Sequence, residues 1–249
     1  MRMVKDYDER MNEFLDVAAE LMLKKGYEKT TVQEIIDKVG VSKGAFYHYF
    51  SSKEDLLDAE AERLAVVVID RIKQGIEGKD IPANAKLREF LAASWQWKSE
   101  NLEYVQAFAP ILFREENARL RARAFDRSRE LCTPILLDLV QQGIEEGIFD
   151  VKYPADAVDL MLQLMFASVN AWVEIASLKG DPAEKARLLR RRFALILETI
   201  EKLLGAKPGA LGRVPDSYIK KISTLDLEEL IQGVAHTDSA KPVRAGRAK

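Results

Sequence analysis

Apolar residues recur every three to four positions along nearly the whole chain, which is the spacing of an α-helix with one buried face. No segment alternates apolar and polar residues with the period of two typical of a β-strand. Glycine and proline interrupt the pattern, and Pro110 and Pro134 fall inside helical stretches that they are expected to kink or break. The sequence therefore predicts an all-α protein. Its longer helices are expected over about residues 8–25, 52–75, 82–99, 101–113, 116–147, 154–179 and 183–204.

Composition excludes several classes of protein. The 249 residues carry 38 basic and 40 acidic side chains, so the chain as a whole is not strongly basic. Its one cysteine, Cys132, and two histidines, His48 and His236, leave no material for a disulfide framework or a metal centre rich in these residues. No cofactor and no metal are predicted. The arginine-rich run 114–129 also contains acids and is expected to be a salt-bridged face.

We also expect a cytoplasmic protein that does not span a membrane. Charged residues occupy the amino-terminal positions where an export signal needs an apolar core. No run of apolar residues approaches the roughly 18–20 that a membrane span requires.

Three regions are predicted along the chain. Residues 1–55 form a small helical domain, 56–204 a larger helical domain, and 205–249 a carboxyl-terminal extension of unassigned role. The extension begins with a linker-like stretch rich in glycine and proline and contains a short amphipathic piece over 225–231.

Two short helices in the first region have the dimensions of a helix-turn-helix. Thr31 and Glu34 have the spacing of a capping box, Gly40 makes the turn, and Ser42 caps the second helix. On that helix Lys43 and Tyr47 share a face.

That face suits the major groove of DNA, where lysine hydrogen-bonds guanine and small residues allow close approach. The plainer alternative is that aromatic residues at this spacing belong to a core, as expected for Phe46 and Phe50, and that Lys43 is merely solvated.

The stretch GYEKTTVQEIIDKVGVSKGAFYHYFSSKEDLL closely resembles the DNA-binding segment of the tetracycline-repressor (TetR) family of bacterial transcription regulators. The resemblance covers about residues 8–60 and implies a three-helix DNA-binding domain followed by a helical domain for ligand binding and dimerisation. It implies phosphate contacts by Thr31, Ser42, Tyr47, His48 and Lys53, with Lys43, Gly44 and Ala45 nearest the base edges. It also implies that His48 is a backbone contact or a packed ring.

The resemblance further implies a small-molecule site in the second domain. Large apolar side chains recur there at helical spacing, and aromatic residues with methionines make adaptable walls for apolar ligands. An ordinary core is the alternative for each of these residues. The predicted ligand-binding residues are Trp95, Phe108, Leu112, Met161, Met165 and Phe166.

Two further helices are expected to form a homodimer. Small residues on 154–179 and a broad apolar stripe on 183–204 fit a four-helix bundle with twofold symmetry, which the family uses. The predicted interface residues are Ala167, Ala171, Phe193, Leu197 and Ile200.

The sequence thus predicts a ligand-responsive DNA-binding regulator rather than an enzyme. The expected form is a homodimeric repressor that binds a palindromic double-stranded operator and is released by a small hydrophobic or aromatic effector. Two alternatives stay open at this point: an all-helical enzyme, and an interaction adaptor that uses the carboxyl-terminal extension.

Overall fold

The computed structural model describes the backbone of residues 2–225 and the side chains of residues 7–225. These residues form helices and no strand, so the all-α prediction is confirmed. The α-helices are α1 (Arg2–Lys25), α2 (Val32–Val39), α3 (Lys43–Tyr49), α4 (Lys53–Ile76), α5 (Ala83–Glu100), α6 (Leu102–Leu112), α7 (Ala118–Glu145), α8 (Pro154–Ala176), α9 (Pro182–Leu203) and α10 (Asp216–Ser223), with a 3₁₀ turn at Glu115–Asn117.

Two prolines lie inside helices that continue through them. Pro110 is within α6 and Pro134 within α7, so the expected breaks do not occur. A proline removes one hydrogen bond of the helix. In α6 the proline is itself buried, as are Tyr104 and Ile111.

Contacts between residues divide the described chain into two units. The first contains the residues up to Ala65 together with Asn101–Ala124, and the second contains Val66–Glu100 and the described residues from Phe125 onward. Helices α4 and α7 each contribute residues to both units. This division differs from the predicted boundary after residue 55, because α6 belongs with the amino-terminal helices.

The core of the first unit explains that assignment. Phe14 of α1 and Phe46 of α3 are fully buried, and Ile111 of α6 and Leu120 of α7 are buried in the same cluster. The segment 101–124 therefore covers apolar surface that α1 to α4 would otherwise expose to water. Burial of that area is the main free energy that holds α6 there.

The arginine-rich run forms the salt-bridged face that the sequence predicts. Arginines of this run make ion pairs within their own unit: Arg114 with Glu28, Arg123 with Asp58, Arg127 with Glu130 and Arg129 with Asp159. These side chains are therefore neutralised locally.

In the second unit α8 packs along α9. Met161 and Leu162 of α8 and Leu197 and Ile200 of α9 are buried in one cluster with residues of α5 and α7. The turn between the two helices is fixed by Lys185, whose Nζ donates to the carbonyl oxygen of Ala176 at 2.8 Å.

The carboxyl-terminal extension is part of this unit as far as it is described. Helix α10 buries Tyr218, Ile219 and Ile222 and packs on α9 and α5. Glu201, itself buried, accepts hydrogen bonds from the backbone N–H groups of Gly209 and Leu211, both at 2.9 Å. The stretch that resembled a linker is thus a fixed loop. The amphipathic piece predicted over 225–231 lies outside the described residues apart from Leu225.

Helix α8 is long and apolar enough to cross a membrane by length and composition alone. The core helices of soluble proteins pass the same test, so this finding is weak evidence of a membrane span. In the protein, 33% of its most apolar 18-residue window is buried.

Candidate nucleic-acid interface and effector site

The turn between α2 and α3 is fixed by its own sequence. Gly40 ends α2 with φ 78° and ψ 38°, a left-handed conformation that favours glycine. Ser42 then caps α3 by accepting a hydrogen bond from the backbone N–H of Ala45. The predicted helix-turn-helix geometry is confirmed at both positions.

The two faces of α3 have different environments. Phe46 and Phe50 are 0% and 3% exposed, which confirms that they are core residues. Lys43 and Tyr47 lie on the opposite, exposed side, with the ammonium of Lys43 5.9 Å from the Tyr47 ring centroid. The core therefore fixes which side chains of this helix face outward.

Lysines near this helix differ in their freedom to bind a partner. Lys38 forms an ion pair with Glu20. Lys53 donates to the carbonyl oxygens of Tyr27 at 3.0 Å and Thr30 at 3.2 Å, and lies 3.9 Å from the Tyr27 ring centroid. Lys43 has no ion pair with any described residue. Among these three lysines, Lys43 is the one that has neither an ion pair nor a hydrogen bond with a described residue.

Gly44 presents bare backbone next to Lys43. A Cβ atom built there would meet only the Ser42 hydroxyl oxygen, at 3.9 Å, so the folded chain itself does not require glycine. The neighbouring Ala45 is half-buried. Both residues leave room for a surface that approaches α3 closely, such as a DNA groove.

Thr31 already has internal partners. Its backbone N–H donates to Glu34 Oε2 at 2.9 Å, and its hydroxyl accepts from the backbone N–H of Glu34 at 3.3 Å, as the predicted capping box requires. The hydroxyl also donates to Glu34 Oε2 at 2.8 Å. Hydrogen bonds from Lys25 and Thr31 lower the pKa of Glu34 to about 2, so this carboxylate stays charged at neutral pH. A phosphate that binds at Thr31 must approach beside that charge.

His48 is exposed and packed edge-on against aromatic rings. Its ring centroid lies 5.3 Å from that of Tyr49 and 6.1 Å from that of Tyr7. Within the described part of the chain, no group of three histidine, cysteine or acidic side chains is placed to hold a metal ion. The packed-ring interpretation of His48 matches these contacts.

The six predicted ligand-binding residues do not all pack against one core. Met161 is buried in the core of the second unit, and Trp95, Met165 and Phe166 pack against it. Phe108 and Leu112 pack against the core of the first unit, where Phe108 stacks on Tyr104 with ring centroids 4.2 Å apart.

A groove of about 600 Å³ opens in the second unit between α9 and the segment 206–219. Its floor is apolar and includes Phe193, Leu197 and Ile219, while Lys202 and Arg213 lie among its lining. None of the six predicted ligand-binding residues lines it.

Trp172 and Lys98 of the second unit carry hydrogen-bond donors that have no acceptor among the described residues. The indole N–H of Trp172 is buried without a partner. Lys98 makes no hydrogen bond or ion pair with a described residue, and burial lowers its pKa to about 8.

The predicted dimer residues differ in their exposure within a single chain. Ala171, Phe193, Leu197 and Ile200 are at most 7% exposed within a single chain, because the apolar stripe of α9 packs on α8 and α10 of the same molecule. Only Ala167 of the predicted set is exposed. The exposed residues of α8 that share its stripe are Leu160, Gln163, Asn170 and Glu174, and the exposed Leu178 follows the end of the helix.

Sequence reasoning missed a buried polar network in the first unit. Glu60 of α4 is 2% exposed and accepts hydrogen bonds from the Tyr104 hydroxyl at 2.6 Å and from Arg63 Nε at 2.8 Å. Arg63 also pairs with Asp16 of α1 at 2.6 Å. The signal was available, because Glu60 lies one helical turn after the buried Leu56.

Residues 14–59 match the family model described as bacterial regulatory proteins, tetR family. The matched segment contains the turn, the capped helix α3 and the first residues of α4.

Relatives extend the likeness beyond that segment. The chain is 27% identical over 207 residues to the HTH-type transcriptional repressor KstR2 of Mycobacterium tuberculosis, covering 81% of this chain and 98% of the relative. It is 27% identical over 165 residues to the fatty acid metabolism regulator protein of Bacillus subtilis, covering 65% and 80%. The structure of the transcriptional regulator FadR from Bacillus subtilis in complex with stearoyl-CoA aligns with a TM-score of 0.53 and 22% identity, over 77% of this chain and 96% of that one.

Proposed function

We propose, from the premise that this chain is a DNA-binding regulator of the bacterial tetR family, that it is a cytoplasmic homodimeric repressor controlled by a small apolar effector. The observation that carries the proposal is that α3 has one buried face and one exposed face. Phe46 and Phe50 lie in the core, and Lys43 and Tyr47 are exposed on the other side.

In this proposal α3 enters the major groove. Lys43 donates to guanine acceptors, and Gly44 and Ala45 let the helix approach the base edges. Tyr47, His48, Ser42, Thr31 and Lys53 contact phosphates. Lys53 Nζ has used two of its three N–H groups on backbone carbonyls, so a single donor is left for DNA.

The dimer of the proposal forms through the exposed stripe of α8 and the adjoining face of α9. Leu160 on α8 is 48% exposed, Leu178 just after α8 is 49% exposed, and Leu195 on α9 is 59% exposed. Apolar side chains at this exposure favour burial against a partner. A twofold partner is the simplest occupant, since it gives two copies of α3 for one palindromic site.

The effector is expected to be an apolar molecule with a hydrogen-bond-accepting or anionic end. Trp95, Met161, Met165 and Phe166 supply apolar and polarisable surface in the second unit. The indole N–H of Trp172 and the ammonium of Lys98 can only donate, so a ligand that reaches them must accept. Stearoyl-CoA, which the structure of the Bacillus subtilis regulator contains, has this chemistry and is our probe.

Control of DNA binding requires that the effector prefer the conformation that cannot bind the operator. Helix α4 begins at Lys53, beside α3, and contributes residues to both units. A shift along this helix changes the spacing of the two copies of α3. A tenfold release from DNA corresponds to about 1.4 kcal/mol of coupling.

The experiment begins with selection of a duplex by the purified protein from a random pool. We expect a palindrome with half-site centres roughly 34 Å apart or somewhat more. Stearoyl-CoA is then titrated by tryptophan fluorescence with and without the selected duplex, with coenzyme A alone as the control.

The two binding equilibria are linked. If the effector weakens DNA binding by some factor, the duplex must weaken effector binding by the same factor. If the protein enriches no duplex from the pool, the assignment as a DNA-binding regulator is overturned. Equal effector affinities in both titrations would overturn effector control while leaving DNA binding intact.

A further inference from the structure

Tyr7 lies on α1, ahead of the residues that the family model matches, which begin at 14. It is 40% exposed. Its ring stacks on Tyr49 with centroids 4.6 Å apart and meets His48 edge-on at 6.1 Å. The ring of Phe14, in the core, packs against that of Tyr49 with centroids 5.5 Å apart. The ring of Tyr7 is therefore held against the last turn of α3.

This packing bears on how α3 is held. The helix has only seven residues, and an isolated helix of that length is not stable in water. Its first turn is capped by Ser42, whereas its last turn depends on side-chain packing. Aromatic pairs of this kind stabilise a fold beyond the effect of the area that they bury.

The Tyr7 hydroxyl has no hydrogen bond with any described residue. It belongs to an exposed side chain whose ring touches His48, a residue assigned a phosphate contact in the proposed function. Tyrosine hydroxyls are among the neutral donors that bind DNA phosphates. An ordered ring with a free donor at the edge of the reading helix fits such a contact.

We propose that Tyr7 is an additional DNA contact of this protein, with its ring bracing the end of α3 and its hydroxyl donating to a phosphate of the bound duplex. The inference rests on the proposed function. It assigns to α1 a direct part in DNA binding, next to the helix-turn-helix itself.

The test compares wild type, Tyr7→Phe and Tyr7→Ala on the duplex that wild type selects and on an unrelated duplex of equal length. Tyr153→Phe is the matched control, since Tyr153 is 60% exposed and lies in the second unit. Dissociation constants are measured at several salt concentrations, and thermal unfolding confirms that each variant is folded.

We expect Tyr7→Phe to weaken both duplexes by about tenfold, the effect of one hydrogen bond to a charged group. The salt dependence should not change, because a neutral hydroxyl releases no counterion. Tyr7→Ala should weaken the selected duplex further, since it also removes the brace, and Tyr153→Phe should bind as wild type does.

Equal affinities of Tyr7→Phe and wild type would overturn the phosphate contact. If Tyr7→Ala also binds like wild type, the brace is overturned as well. Failure of wild type to select any duplex would overturn the proposed function, which is a different result from either of these.

Discussion

The hydroxyl of Tyr104 donates to Glu60 Oε1 across 2.6 Å, and this contact joins α6 to α4 within the first unit. Both residues are nearly excluded from water, at 4% and 2% exposure. Burial raises the pKa of Glu60, and Arg63 opposes that shift. The carboxyl therefore depends on its two partners to offset the cost of leaving water.

We expect Tyr104→Phe to lower the free energy of unfolding by about 1–3 kcal/mol, because the substitution leaves a buried oxygen without its donor. Denaturant unfolding measures the difference, and Tyr153→Phe on the exposed surface is the control. A Tyr104→Phe protein as stable as wild type would show that the network does not tie α6 to the amino-terminal helices.

Gly44→Ala separates folding from recognition. A Cβ atom has open space at this position, and alanine favours a helix over glycine, so stability should stay the same or rise by up to about 1 kcal/mol. DNA affinity should fall roughly tenfold, about 1.4 kcal/mol, because the added methyl group stands between α3 and the groove. Unchanged affinity for the selected duplex would contradict the close approach.

Charges on α8 distinguish the dimer surface from the protomer core. Ala167→Asp lies on the exposed stripe and should yield a folded monomer by light scattering at micromolar concentration. Ala171→Asp places a carboxylate at a site that is 2% exposed, and it should unfold the chain because no partner compensates the buried charge. A folded Ala167→Asp dimer would exclude this stripe as the interface.

Lys98→Met tests the desolvated ammonium in the second unit. The pKa of Lys98 is lowered in the folded protein to about 8, so the unfolded chain binds the proton more tightly. The buried ammonium of Lys98 therefore destabilises the fold fully below pH 8, and the effect disappears as the pH rises toward 10.5, the ordinary pKa of lysine.

At pH 7 we expect Lys98→Met to be more stable by about 1–2 kcal/mol, a figure reduced for the partial exposure of the side chain. The advantage should shrink between pH 8 and 10.5 in thermal unfolding. If the stability advantage of Lys98→Met does not change with pH, the ammonium of Lys98 has a hydrogen-bond or ion-pair partner that compensates its burial.

The helix-turn-helix could be read from the sequence because its signals are local. The capping box of Thr31 and Glu34, the turn at Gly40 and the cap at Ser42 each depend on residues within four positions. The same holds for Phe46 and Phe50, whose spacing places them on one face of α3.

The partners of the longer helices could not be read in this way. The apolar stripe of α6 predicts a buried face but does not say which core covers it, and the structure places Ile111 in the same core cluster as Phe14. The stripe of α9 likewise predicted a dimer surface at Phe193, whereas α10 and α8 of the same chain cover it. The local signal for the start of α10 is the pair Pro215-Asp216, with the proline at the N-cap and the acid in the first turn.

Lys43→Ala tests the central claim most directly, that α3 reads DNA through its exposed face. We expect a folded dimer whose affinity for the selected duplex falls by about 1–3 kcal/mol, with a smaller loss on unrelated DNA. Lys53→Ala is the comparison variant, and it should weaken all duplexes similarly and reduce the salt slope by about one. Unchanged affinity of a folded Lys43→Ala dimer for the selected duplex would contradict the account.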